Sequence, residues 1–562
     1  MSLSQTLSRI PRPRLLLRLV TGVILLLLFV EAIHLRFGRM PDQPISDHDT
    51  WGYLSPSIAH FTIDQFRVSY RSFPYPGLLL LILESTHRFS SIVTVQNLIS
   101  LGGGIILGLA WLKLRRFLPE RPAIVILHTA LGLLLLTTWL LAARHVLMEH
   151  LIRPEPVFVA FSALQLWLEL SLLEAAFVSV ARRKALVFTF FTVFNTLLLY
   201  LLKPEWGLAL GVALLPPLFV LLKCSWRLKT ITAGGAAALC FLVFFWLPEK
   251  AFQRKYSPEA NFLPSLLFCV HANLIEQEIE LDLASPAQPP YPRDFLETVS
   301  SQVKYALSNP PASHVYRSLG FDPDYILYRA PTLPLIRTRL GSADAFAGFC
   351  YHYYAMAWLH QPSKMAHKIL REMHLFYRLD SEVSESGKAR YKLDEHYATA
   401  LEVMQQSTAR DTALAPWPPL QDYIASLQKL STTTALIRQH SSLARIFATI
   451  NSTFLPASAI MLLGLLLWCL IPKIRQTETF STVHPLVLGA WLFSFNLGMT
   501  LTVSIVHSMK VGRFTQVQMT YTLFSYFAAI LLLAAWLMEL KKRSHGNSLN
   551  GSEQPRELAK NP

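Results

Sequence analysis

The run LLLRLVTGVILLLLFVEAI, residues 15–33, decides how the rest of this chain is read. A helix crosses the hydrocarbon core of a bilayer with about 20 mostly apolar residues, and this run is long enough. Arg9, Arg12 and Arg14 precede it, and Arg18 stands in its first turn, as they would in a secretory signal. The continuation VEAIHLRF has no small-x-small cleavage site, however, so the run reads as a retained membrane helix. Nine more stretches are long and apolar enough to span: 91–112, 123–142, 156–180, 185–202, 206–223, 230–248, 448–471, 485–507 and 516–540. The apolar run Pro76–Leu83 is too short to span and reads as an interfacial helix.

Composition agrees with this reading. Of the 562 residues, 52% are hydrophobic and only 15% charged, against about 25% charged in soluble domains. A net charge of +15 would suggest nucleic acid if it sat on a soluble surface. Instead, basic residues gather in SRIPRPRLLLR, KLRRFLPERP, ARRK, KCSWRLK, PKIR and ELKKRSH, which are alternate connections bordering the spans. The positive-inside rule places these connections and both termini in the cytoplasm. The charge is then topological, and no nucleic-acid partner is expected.

The fold class expected is an all-α polytopic membrane protein of about ten transmembrane helices with a mainly helical extramembrane domain. Residues 1–248 form a module of seven spans whose first outer loop is 34–90. Residues 249–447 form the extramembrane domain, 448–543 a module of three spans, and 544–562 a polar, disordered cytoplasmic tail. Cys269 and Cys350 fall in the extramembrane region and could pair in an oxidising compartment. The glycines of SLGGGIILG, 100–108, lie in an apolar span without a following Lys-Ser/Thr, so they read as close helix packing, not a phosphate loop.

On this topology the outer face collects the unusual polar groups. The first loop contains PISDHDTWGYLSPS, 44–57, with Asp47, His48, Asp49 and Tyr53, followed by Arg67 and Arg71. RHVLMEHLIRPEP adds Arg153 and Glu155, LLKPEWG adds Lys203 and Glu205, and HSMKVGRF adds Lys510 and Arg513. Ionisable groups near membrane depth are costly unless paired or functional. Carboxylates can orient or deprotonate an acceptor hydroxyl or amine, and cations can hold a departing phosphate. Together they suit displacement at a carbon attached to a lipid-borne phosphate. Asp47, His48 and Asp49 could also hold a divalent metal, although their spacing matches no metal motif and the sequence requires no cofactor.

Several motifs carry a resemblance. Asp49 and Tyr53 stand four apart in DTWGYL; Arg71, Tyr75 and Pro76 follow as R-x-x-x-Y-P. RPE (Arg153–Glu155), KPE (Lys203–Glu205) and Gly512-Arg513-Phe514 come later in the same order and on the same side. This series resembles the polyprenyl-phosphate-sugar-dependent GT-C glycosyltransferases, and most of all the bacterial protein mannosyltransferase and aminoarabinose transferase-like proteins. The resemblance covers the membrane part, about two-thirds of the chain. It departs where relatives carry a second acidic residue before the interfacial helix and this chain has Arg67, Tyr70 and Arg71. It departs again in the large domain after the seventh span.

The resemblance implies a GT-C-like helix arrangement in a bacterial inner membrane, with the active site on the periplasmic face. It implies inverting sugar transfer from a polyprenyl-phosphate donor to a glycan, lipid or protein acceptor, with membrane lipid as the surrounding partner. Asp49 becomes the catalytic carboxylate, with Asp47 its rival. Arg71, Lys203 and Arg513 become phosphate ligands, within a substrate-binding set that also holds Tyr53, Arg67, Arg153, Glu155, Glu205 and Lys510. Two other readings stay open. A glycan ligase or polymerase would keep its essential groups in the 249–447 domain, and a lipid-linked glycan transporter or flippase would bury charges in mid-span.

Overall fold

The computed structural model describes residues 12–65, 71–256, 262–311, 316–378, 390–433, 435–438, 441–470, 484–508 and 513–550. Ten helices among them are long and apolar enough to cross a membrane. Spans 1 to 7 are Leu16–Arg39, Ser90–Phe117, Pro122–Leu141, Glu155–Val178, Arg182–Leu202, Pro204–Lys223 and Arg227–Ala251; spans 8 to 10 are Arg445–Leu470, Pro485–Val506 and Phe514–Glu539. All ten expected stretches are present, with ends shifted by a few residues. Span 1 shifts most: its helix continues past Ile33 through a π-helical turn, His34–Arg39, which carries Arg36 into the protein.

Span 4 is the axis of the bundle, packed between spans 2, 5 and 10. Its contact with span 2 explains the glycine run. A Cβ on Gly103 would lie 2.9 Å from the Cα of Ala160, so only glycine lets the two backbones approach this closely. Ion pairs Lys113–Glu174 and Arg121–Glu539 tie helix ends together at one end of the bundle.

The other end carries everything else. Two short helices, α1 (Thr50–Ile63) and α2 (Pro74–Thr86), lie between spans 1 and 2, and α3 (Ala143–Glu149) precedes span 4. The short apolar run around Pro76–Leu83 is thus the body of α2, with Tyr75, Pro76, Leu79 and Leu83 buried. Between spans 7 and 8 the chain builds two separate helical pieces. Six helices from Phe262 to His360 enclose their own core, with Phe295, Leu296, Phe346, Phe349 and Tyr353 at its centre. Cys269 and Cys350 meet in that core as free thiols.

The second piece begins with α4 (Pro362–Tyr377) and continues through α5 (Leu393–Arg410) and α6 (Pro418–Ser431), closed by a three-residue antiparallel pair, β1 (Arg390–Lys392) and β2 (Leu436–Arg438). Buried residues of the α5–α6 hairpin, Tyr397, Met404, Leu420 and Tyr423 among them, belong to the same core as the membrane helices. The 249–447 stretch is therefore one independent core plus a hairpin that completes the membrane module. Amphipathic periodicity alone cannot separate these, because both present one apolar face.

Candidate functional site

The site begins as a backbone device. Ile45 pairs with Leu151 in an isolated parallel bridge: Ile45 N donates to the His150 carbonyl at 2.6 Å and Ile152 N to the Ile45 carbonyl at 3.1 Å. Two loops more than a hundred residues apart are thereby stitched side by side, with Asp47 and Asp49 just beyond one strand and Arg153 just beyond the other. The hairpin clamps the same strap from above. Tyr397 Oη donates to the Gln43 carbonyl and Tyr423 Oη to the Pro44 carbonyl, both at 2.8 Å, while Tyr423 stacks on Phe89 and Trp417 on Phe61.

Asp47 then forms a tight turn. Its Oδ1 accepts from Asp49 N at 3.0 Å and from Thr50 Oγ1 at 3.2 Å, the local side-chain capping that short acids favour before a helix. Asp49 is the residue at the amino cap of α1 but does not cap it with its side chain. Its carboxylate turns to two guanidiniums instead, Arg71 Nη2 at 2.7 Å and Arg153 Nη2 at 2.9 Å.

From Arg153 an unbroken series of alternating charges runs across three connections. Arg153 Nε also binds Asp47 Oδ2, and Nη1 approaches Glu155 at 3.5 Å. Glu155 accepts from Lys203 Nζ at 3.1 Å, and the same ammonium lies 3.0 Å from Glu205. Burial alone would lower the Arg153 pKa, but Asp47, Glu155 and Asp49 more than offset it and raise it. The Arg71 guanidinium lies 4.8 Å over the Tyr53 ring. Tyr53 packs edge-on against Tyr75, and burial raises the pKa of both phenols.

Seven residues expected from the sequence, Asp47, Asp49, Tyr53, Arg71, Arg153, Glu155 and Lys203, thus converge, with Glu205 beside Lys203. Arg67 and Lys510 lie outside the described residues. Arg513 opens the last helix and is placed by its backbone only. Asp47, His48 and Asp49 are not gathered as one ligand set. His48 is exposed, whereas both carboxylates face guanidiniums. Among the described residues no group of three or more His, Cys, Asp and Glu is arranged to hold a metal ion.

A second network beneath the bridge is singled out by no sequence motif. Arg36 and Glu149, both with fully buried side chains, form a bidentate pair at 2.6 and 2.7 Å. Arg36 also donates to the Leu140 carbonyl at 2.9 Å. Glu149 accepts from Ser100 Oγ at 2.6 Å and lies 3.2 Å from His145 Nε2. Gln96 Nε2 donates to the carbonyls of Glu149 and Leu151 at 2.7 and 3.0 Å, and its Oε1 accepts from Tyr75 Oη. This network fixes the loop that presents Arg153. The one available signal was the i, i+4 pair His145 and Glu149 in an otherwise apolar turn, which marks a buried partner without naming it.

The network makes stability pH-dependent. Burial pushes His145 down to about 4. Burial alone would raise Glu149, but Arg36 and His145 outweigh it and hold the carboxyl below its usual range. Both groups bind fewer protons folded than unfolded, so stability falls with pH, first from about 6.5 to 4 as unfolded His takes up protons, then further through the Glu149 range. The His145 share is about 3 kcal/mol. Thermal midpoints of purified protein between pH 7.5 and 4 should therefore drop on acidification, and His145→Gln should flatten the slope. A wild-type midpoint independent of pH in that interval would dismiss the coupling.

The chain matches no family model, no curated protein and no solved structure.

Proposed function

We propose that this protein is a membrane glycosyltransferase that moves a sugar from a polyprenyl-phosphate donor to an acceptor hydroxyl or amine at the outer membrane face. The observation that carries the reading is Asp49 held between Arg71 and Arg153, with Lys203 joined to them through Glu155, all at the loop end of a ten-span bundle. Positive-inside bias supports that end as the outer one. In the transfer, the acceptor oxygen or nitrogen attacks the anomeric carbon while the bond from that carbon to the phosphate oxygen breaks. The acceptor proton passes to Asp49, and the lipid phosphate leaves with the electron pair toward Arg71, Lys203 and Arg513. The donor phosphate enters by taking Arg71 and Lys203 from their carboxylate partners, which orders the exchange: donor first, then acceptor against the released Asp49.

A panel of radiolabelled polyprenyl-phosphate sugars with the purified protein in nanodiscs tests this. The wild type should release or transfer sugar from at least one donor, and Arg71→Ala should weaken use of that donor by about ten- to a hundredfold in KM, the range of a lost charged hydrogen bond. Unchanged donor dependence in Arg71→Ala would remove Arg71 from the phosphate.

One observation favours movement of a lipid-linked glycan as the second reading. Besides charges at helix ends, Glu169 is fully buried within span 4, bonded to Gln165, which in turn contacts Asn195 and Thr196 of span 5. A carboxyl group in that position belongs to functional polar paths more often than to packing. Translocation of labelled lipid into sealed proteoliposomes, with no sugar released, would reverse the order of the two readings.

A further inference from the structure

Helix α4 does not lie above the membrane helices; it runs down beside span 9. Midway along it, Lys368 Nζ donates to the carbonyls of Ser504 at 2.5 Å and His507 at 3.4 Å, where that span ends. At its far end, the Tyr377 hydroxyl reaches Asn496 and, at 3.0 Å, Thr500. Asn496 is ten residues before Val506, about 15 Å deeper along the helix. The Phe376 carbonyl accepts from Asn451 Nδ2 of span 8 at 2.8 Å. That bond satisfies a helix-end carbonyl at a depth where water is scarce. Phe376 and Tyr377 share a buried core with Phe454 and Phe493. Helix α4 is thus re-entrant, wedged against spans 8 and 9.

Its opposite face is basic. His367, Arg371 and His374, followed by Arg378 just past the helix, recur every three or four residues and form one exposed stripe. Leu370, 64% exposed, lies one helical turn from His367 and from His374. The only acidic residue of α4, Glu372, is on the buried side, where it bonds Ser508. An exposed guanidinium, that of Arg371, is costly against hydrocarbon unless a counter-charge meets it. The adjacent apolar Leu370 suits an acyl chain and not a soluble anion.

We propose that this stripe is a docking site for the anionic phosphate headgroup of a membrane lipid, centred on Arg371 with His367 and His374 on either side. The guanidinium fork matches phosphate oxygens in pairs, and Leu370 lies against the lipid chain. The site is distinct from the Asp49 constellation, and the proposal stands whether or not the protein transfers sugar.

The full chain, delipidated in detergent, is presented with equimolar dioleoyl phosphatidylglycerol and dioleoyl phosphatidylcholine, and retained lipid is counted by native mass spectrometry. Wild type should retain phosphatidylglycerol preferentially, and His367→Gln/Arg371→Gln/His374→Gln should reduce that preference about tenfold, the scale of one or two interfacial cations. Its thermal midpoint without lipid should match wild type; if the triple variant does not fold, Arg371→Gln alone is compared, and Arg371→Lys should keep most of the preference. No preference in wild type, or equal preference in wild type and variant, would overturn the proposal. Stabilisation by inorganic phosphate as large as that by phosphatidylglycerol would overturn the lipid source.

Discussion

Asp49→Asn is expected to lower sugar transfer by about 10²- to 10⁴-fold, the usual contribution of a positioned general base. The substitution keeps the side chain's shape and one acceptor oxygen. Arg153 retains Asp47 and Glu155 as partners, and the backbone bridge of Ile45 and Leu151 does not involve the side chain. The variant should therefore insert and fold, and donor binding should fall far less than turnover. Asp47→Asn is the matched comparison. Its Oδ1 is engaged with Asp49 N and Thr50 Oγ1, so it shapes the turn and does not face an acceptor. It should cost less in turnover and more in thermal stability than Asp49→Asn. Full activity in Asp49→Asn together with an inactive, folded Asp47→Asn would exchange the two roles.

The largest stability effect is expected from the pair under the site. Removing one partner of a fully buried, bidentate ion pair leaves an uncompensated charge and costs about 3–5 kcal/mol. Arg36→Leu strands Glu149 with only Ser100 and His145, and frees the Leu140 carbonyl as well. Glu149→Leu strands Arg36 in turn. Each single variant should unfold at a much lower temperature than wild type in detergent. The double variant Arg36→Leu/Glu149→Leu should recover much of the loss, because neither charge is then left buried alone. Additive losses in the double variant would mean the two side chains act independently and would remove the pair as the anchor of the Arg153 loop.

Much of the membrane architecture was legible in the sequence. Each span is written as a run of about 20 apolar residues, and bilayer thickness enforces that length locally, so no tertiary information is needed to find it. The outlying case, span 1, shows the limit. Its helix runs on through Arg36 because Glu149, more than a hundred residues away, receives the guanidinium. The candidate site was legible in kind. RPE, KPE and the DHD loop advertise charges that a membrane protein does not place at helix ends without partners. Which charge meets which was not legible, because alternating signs permit many pairings.

The sequence by itself determined that this chain is a helical membrane protein with ten stretches long and apolar enough to span, a short apolar helix around Pro76–Leu83 and a concentration of ionisable groups in a few connections. Hydrophobic length and charge are properties of contiguous residues, and the bilayer reads them without reference to the rest of the fold. Only the tertiary structure decided that Arg153 joins Asp47 to Asp49, that Tyr397 and Tyr423 reach back to clamp residues 43–46, and that α4 descends beside span 9. Those outcomes rest on hydrogen bonds between residues far apart in the chain. A buried polar group accepts whichever partner the packing of whole helices delivers to it.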